Sequence, residues 1–271
     1  MHISQSQTKT THNHPIAEFL QEVVREAGSR VLEIAKNGFD VSIKPDSSQV
    51  TTADLEVDRM LKERLLSKYP HDGWLSEESP DDRKRLEKSR VWILDPIDGT
   101  RNFISKIPQY AISIALVENQ ELTLSVIFNP ATNEMFSAVK GEGAYLNGIP
   151  IHVKDTQTDH LHCLANASEA QRTKLELIEP AITCQAFGSI AYALALQAAG
   201  RVDMTLNPGG QHEWDIAAGV LLIQEAGGTV ADRNWQPIPF NQSNTTTQGV
   251  IATRPDKVST VRQLLGVLQS P

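Results

Sequence analysis

Apolar and polar positions follow two different rhythms along this chain, and the change of rhythm divides it. Residues 1–14 are polar, rich in Ser, Thr, Gln and His, and read as a disordered tail. Next, "PIAEFLQEVVREAGSRVLEIAK" repeats its apolar residues at helical spacing. Ile16, Phe19, Leu20, Val23, Val24 and Ala27 share one face, and Pro15 suits a first turn. "TADLEVDRMLKERLLSKYP" carries Leu55, Met60, Leu61 and Leu65 and predicts a second helix that stops before Pro70. The mixed charge run "DDRKRLEKSR" reads as a solvated helix face. The period then shortens to two. "YAISIALVENQELTLSVIFNP" predicts two strands around a Glu-Asn-Gln-Glu turn, and "NEMFSAVKGEGAYLNGIPIHV" predicts shorter strands punctuated by glycine.

Beyond residue 155 strands and helices alternate. A strand near "LHCLANA" precedes a helix near "AQRTKLELIE", a strand in "ITCQAF" leads into the helix "SIAYALALQAAG", and a strand in "VDMTLN" leads into the helix "EWDIAAGVLLIQEAGG". The strand "GVIAT" and a helix from Pro255 close the chain. The pattern predicts an α+β half over residues 15–154, with an antiparallel sheet, and an α/β half over residues 155–271 that completes a shared site.

Composition narrows the partners. A net charge of −8 argues against a nucleic-acid polymer, whose phosphates need a basic face. A small phosphorylated ligand stays possible, because a bound divalent cation reverses the local field. No run of apolar residues is long enough to span a membrane, and the opening stretch lacks the apolar core of a signal peptide, so a cytoplasmic setting is expected. Cys163 and Cys184 have no metal-ligand spacing and read as two reduced thiols rather than a disulfide.

The chemistry concentrates in "VWILDPIDGTRNF". Residues 91–94 read as a buried strand ending at Asp95; Pro96 stops the ladder and Gly99 permits a tight turn. Asp95 and Asp98 then converge beyond the strand's carboxyl end, with the Ile97 carbonyl between them. Two carboxylates held so close repel each other unless a cation lies between them. Further acids occupy odd places: Glu77 and Glu78 follow the apolar pair Trp74 and Leu75, while Asp54 and Asp215 each stand at the mouth of a helix. Taken singly, Asp54 and Asp215 suit helix N-caps, Glu77 and Glu78 suit a surface, and Thr100 suits an ordinary turn. Taken together, hard oxygen donors from several elements suit Mg²⁺, and no cysteine–histidine cluster suggests zinc. Thr100 is placed to hold a water, and the backbone N–H groups around Gly99 and Thr100 to cradle a phosphate.

"WILDPIDGTRNF" resembles the first signature of the inositol monophosphatase superfamily, and "EWDIAAGVLLIQEAGG" resembles the second. "VTTAD", "LSEES", "GEGAYLNG" and "GSIAYALAL" fall in the expected order, so the resemblance covers residues 16–260. It implies a layered αβαβα sandwich and lithium-sensitive hydrolysis of phosphate monoesters with two or three Mg²⁺ ions and no covalent enzyme intermediate. By the same resemblance Glu77, Asp95, the Ile97 carbonyl, Asp98 and Asp215 hold metal, and Asp54 helps hold a weaker further ion. Thr100 and Glu77 activate the attacking water. Asp98, Gly99, Thr100 and Asp215 contact the substrate, and Gly188 and Ser189 line its sugar or base side. A homodimer is usual in parts of the family.

The substrate reads less directly. Inositol monophosphatases place a glutamate seven residues before the second-signature aspartate, and here that position is Pro208. "GSIAYALAL", "EWDIAAG" and "LSEESPDDRKRL" are similar to bacterial 3′(2′),5′-bisphosphate nucleotidases, although Ala193 stands where that branch often has lysine or arginine. The expectation is hydrolysis of adenosine 3′,5′-bisphosphate to AMP, with Arg101 available to a second phosphate. The alternatives are an inositol or histidinol phosphate phosphatase and, outside enzymes, a metal-binding regulator that retains the fold.

Overall fold

Helix α1 (Pro15–Asn37) turns its apolar stripe inward, burying Ala17, Leu20, Val23, Val24, Ala27 and Val31. The His14 side chain accepts a hydrogen bond from the Ala17 N–H at 3.4 Å and so caps this helix. The computed structural model describes residues 14–153, 160–166 and 181–268. The rest of the expected tail and the helix expected near "AQRTKLELIE" lie outside the described residues. A two-stranded hairpin, β1 (Val41–Ile43) and β2 (Gln49–Thr51), follows and leads into α2 (Thr52–Lys68). Nothing in the periodicity announced that hairpin, because its strands are three residues long and β1 is exposed throughout.

A seven-stranded sheet comes next, its strands side by side in chain order: β3 (Gly73–Ser76), β4 (Arg90–Asp98), β5 (Ala111–Glu118), β6 (Glu121–Asn129), β7 (Glu134–Val139), β8 (Gly143–Leu146) and β9 (Ile149–Ile151). β3 and β4 are parallel and every later pair is antiparallel. Strand β4 corrects one expectation: it does not end at Asp95 but runs on to Asp98. Its pairing with β5 shifts register between Asp95 and Asp98, where Pro96 has no N–H to give the ladder. A one-turn helix, α3 (Thr100–Ile104), follows at once. Along β4, Trp92 and Leu94 pack toward α1 and α2 while Val91 and Ile93 pack into the core on the other face. Burial on both faces is why these residues read as an unbroken apolar run.

The second sheet has the spatial order β11-β10-β12-β14-β13, formed by β10 (Leu161–Ala165), β11 (Ile182–Ala186), β12 (Met204–Asn207), β13 (Thr229–Ala231) and β14 (Val250–Thr253). β10 is parallel to both neighbours; β14 is antiparallel to both of its own. Helices α4 (Ile190–Ala198) and α5 (Glu213–Glu225) lie between the sheets. Their side chains share one core with Val91, Ile93 and Ile127 of the larger sheet and with Val250 and Ala252 of the smaller. Helix α6 (Val258–Leu268) covers the outer face through Val261 and Leu265. The layers therefore run α, β, α, β, α, as expected. The charge run is not wholly solvated: Arg85 is buried, with its guanidinium on Asp81 (2.9 Å) and the Asn241 side chain (2.6 Å). Among the described residues no helix is long and apolar enough to cross a membrane.

Candidate active site

The acids singled out in the sequence meet where the carboxyl end of β4 faces the amino ends of α2, α4 and α5. Asp95 is buried, and its Oδ1 accepts from the Ile97 N–H at 3.0 Å, which holds the DPID turn closed. Gly99 sits at φ 92°, a left-handed conformation, and a Cβ there would stand 2.7 Å from the Gln109 carbonyl. Only glycine fits, and the chain turns sharply enough to bring the Thr100 hydroxyl back to the Ile97 carbonyl. The Thr100 hydroxyl lies 3.1 Å from Asp54 Oδ1 and 3.0 Å from the Ile97 carbonyl, so one proton has two acceptors.

Asp54 and Asp215 are helix caps and also members of the acid cluster. Each stands at the third position of its helix in a capping box, one with Thr51 and the other with His212. Asp54 Oδ2 accepts from the Thr51 N–H at 2.8 Å, and Asp215 Oδ2 accepts from the His212 N–H at 2.8 Å. The capping bonds use one oxygen of each acid and leave the other for the site. Asp98 is fixed from the second half of the chain: its Oδ2 accepts from Ser189 Oγ and from the Ala191 N–H, both at 2.6 Å.

The cost of gathering these acids shows in their proton affinities. Burial raises Asp95 well above the usual carboxylate range, and the charges of Glu77, Asp98, Asp215 and Asp54 raise it further. Burial also raises Asp215, with Asp98 and Glu77 adding to it, and raises Asp54 against the pull of its donors Thr51 and Thr100. Asp98 keeps a solvent-facing edge, yet the surrounding protein pushes its carboxyl up to about 7. A lysine answers part of this cluster. Lys44, in the turn between β1 and β2, places Nζ 2.6 Å from Glu77 Oε1 and 2.8 Å from Glu78 Oε1. Burial opposes the charge of Lys44, but these two bonds outweigh it and raise its pKa. Burial pushes Glu78 up to about 7 even beside the lysine.

As the side chains stand, no three His, Cys, Asp or Glu residues among those described enclose a single point closely enough to hold an ion. Their oxygens are turned onto the capping bonds, Ser189 and Lys44. The donor set nevertheless fits Mg²⁺: it is made of carboxylates and one backbone carbonyl, and its buried excess of negative charge lacks a matching number of protein cations. Glu77, Asp95, Ile97, Asp98, Asp215 and Asp54 are thus brought together. Gly188 approaches from β11, and a Cβ there would fall 1.8 Å from Asn102 Nδ2. Ser189 is fully buried and reaches the site only through Asp98, while Arg101 is exposed on α3. Pro208 lies half-buried just past β12. Sequence reasoning missed Lys44 and also Gln109, whose Oε1 accepts from Asn102 Nδ2 (3.2 Å) and the Gly188 N–H (3.3 Å) and so joins α3 to the turn before α4. Neither carries a motif; only the folded hairpin and turn bring them in.

Whole-chain comparisons give the family. The chain is 31% identical over 247 residues to an inositol-1-monophosphatase of Bacillus subtilis, covering 86% of this chain and 91% of that protein. It is 33% identical over 233 residues to the Nus factor SuhB of Escherichia coli, covering 81% and 85%. Its fold matches that of the Thermotoga maritima IMPase with a TM-score of 0.83 at 28% identity, over 94% of this chain and 98% of that one. These relatives carry inositol monophosphatase and SuhB names, not the bisphosphate nucleotidase name that the local motifs favoured. With the family model matching residues 12–264, the chain belongs to the inositol monophosphatase family, whose members are Mg²⁺-dependent phosphomonoester hydrolases.

Proposed function

We propose that this enzyme hydrolyses the phosphate monoester of a sugar alcohol of the inositol type, at the acid cluster beyond β4. The observation that carries the reading is Asp95, a buried carboxyl in the field of four other acids. Such an arrangement is costly unless a multivalent cation is part of the working state. The choice of an inositol-type ester over a nucleotide is supported by relatives named inositol monophosphatase that align over more than four-fifths of the chain.

Glu77, Asp95, the Ile97 carbonyl, Asp98 and Asp215 would hold the principal Mg²⁺, and Asp54 would help hold a further one. When bound, Mg²⁺ supplies charge neutralisation for the phosphate and the leaving oxygen and lowers the pKa of water. Thr100 orients the attacking water through its hydroxyl, and Asp54 accepts the Thr100 proton so that a lone pair faces that water. Glu77 takes the proton the water gives up. The backbone N–H groups at Gly99 and Thr100 fix the phosphate in line, which is most of what a protein contributes to phosphoryl transfer.

A second reading keeps one specific observation: Pro208 occupies the place of the glutamate that would hold sugar hydroxyls, as a bisphosphate nucleotidase would allow. Phosphate release with Mg²⁺ from inositol 1-phosphate, histidinol phosphate and adenosine 3′,5′-bisphosphate at equal concentration separates the two. A kcat/KM about tenfold or more higher for inositol 1-phosphate supports the proposal. A preference of that size for the bisphosphate replaces the substrate and leaves the hydrolytic centre standing.

A further inference from the structure

The chain has two cysteines, and the fold sets them directly opposite each other. β10 and β11 pair in parallel with Cys163 and Cys184 as register partners, so both side chains leave the same face of the sheet. Both cysteines pack against the core under α6. Their exposures differ. Cys163 is buried, whereas Cys184 is half-buried on β11, the edge strand of the five-stranded sheet.

We propose that Cys163 and Cys184 form a reversible dithiol–disulfide couple, driven by peroxides, that is linked to the active site through the turn after β11. Cys184 is the residue a peroxide reaches. Its thiolate attacks one peroxide oxygen, the O–O bond breaks, and a sulfenic acid and one water result. The Cys163 sulfur then displaces the sulfenic oxygen, which leaves as a second water with the Cys163 proton. Two thiols have lost two hydrogens and one peroxide has become two waters.

Linkage follows from where the strand goes. Paired backbones about 4.8 Å apart already fall within the Cα span of a disulfide, about 4.4–6.8 Å, but its Cβ atoms lie about 3.8 Å apart, so bond formation tilts the two side chains together and twists β11 against β10. β11 runs through Phe187, whose N–H donates to the Ala165 carbonyl at the end of β10 (2.9 Å). Gly188, held by Gln109, and Ser189, which donates to Asp98, follow at once. A shift in β11 therefore reaches Asp98 within five residues of Cys184.

The test treats the reduced full-length protein with hydrogen peroxide, followed by denaturation, alkylation and intact mass, with phosphate release assayed in parallel. The expected result is joint loss of both alkylation sites, a Cys163–Cys184 peptide on mapping, and a kcat/KM lowered about tenfold and restored by dithiothreitol. Cys184→Ser should show wild-type activity when reduced and no response to peroxide. Oxygen adducts on Cys184 with Cys163 still alkylatable overturn the proposal, and so does a disulfide that leaves kcat/KM unchanged. The kinetic part rests on the hydrolase reading of the acid cluster. The mass and mapping do not, so failure of one is distinguishable from failure of the other.

Discussion

Among single residues, Asp95 stands at the centre of the acid cluster. Its carboxyl is buried among other acids, so replacing it removes both a ligand and a repulsion. Asp95→Asn should lower kcat on the order of 10²–10⁴-fold while the chelated protein melts at the same or a higher temperature. A clear drop in melting temperature would make Asp95 a structural acid instead. Thr100 separates orientation from binding: Thr100→Ala should reduce kcat with little change in KM, and Thr100→Ser should recover most of the loss, measured by steady-state kinetics. These residues were legible in the sequence because the DPIDGT turn breaks a rule on its face, placing two acids and a proline at the end of an apolar strand. Their double duty was not. Asp54 and Asp215 had two readings, helix cap or ligand; the capping bond takes one oxygen of each, so the first reading does not exclude the second.

Elements decide how that cluster is held and what guards it. The β1–β2 hairpin carries Lys44 onto Glu77 and Glu78, so a protein cation occupies part of the field that a metal would feel. Lys44→Met should bind Mg²⁺ about threefold or more tightly by calorimetry, since one positive neighbour is gone. The same variant should melt lower in chelator, because two acids lose their partner. Weaker Mg²⁺ binding would show that Lys44 helps assemble the site. Periodicity missed this hairpin for a physical reason: three-residue strands with exposed side chains leave no alternating signal, and Lys44 lies 33 residues before the acid it meets. Helix α1 was legible because it buries a single broad stripe, whereas in α2 Leu55, expected on the apolar side, is exposed and Asp54 and Asp58 are buried in its place. The extension of β4 past Asp95 was not, since a bulge is a property of the pair and β5 supplies half of it.

Across the whole molecule, two sheets share one core through α4 and α5, and each half delivers acids to the cluster. The layered order was readable from the switch between alternating and helical rhythms, whereas the juxtaposition of Cys163 and Cys184 depends on strand order, which no local pattern states. A pH dependence belongs to this scale. Asp95, Asp98 and Asp215 hold protons in the folded, metal-free protein that the unfolded chain has released above about pH 4. Their folded pKa values are raised, so the stability these three groups contribute is full below about pH 4 and is lost as pH rises through about 7. Mg²⁺ takes the place of those protons, so the rise in melting temperature on adding it should be larger at pH 8 than at pH 5.5. Equal rises at the two pH values would contradict a cluster built for metal. The most direct test of the central claim is phosphate release from inositol 1-phosphate by the wild type and by Asp95→Asn, each titrated from chelator into Mg²⁺. Release by the wild type should begin only with Mg²⁺ and be nearly absent from the variant throughout. Release by the wild type in chelator, or by Asp95→Asn at the wild-type rate, would contradict it.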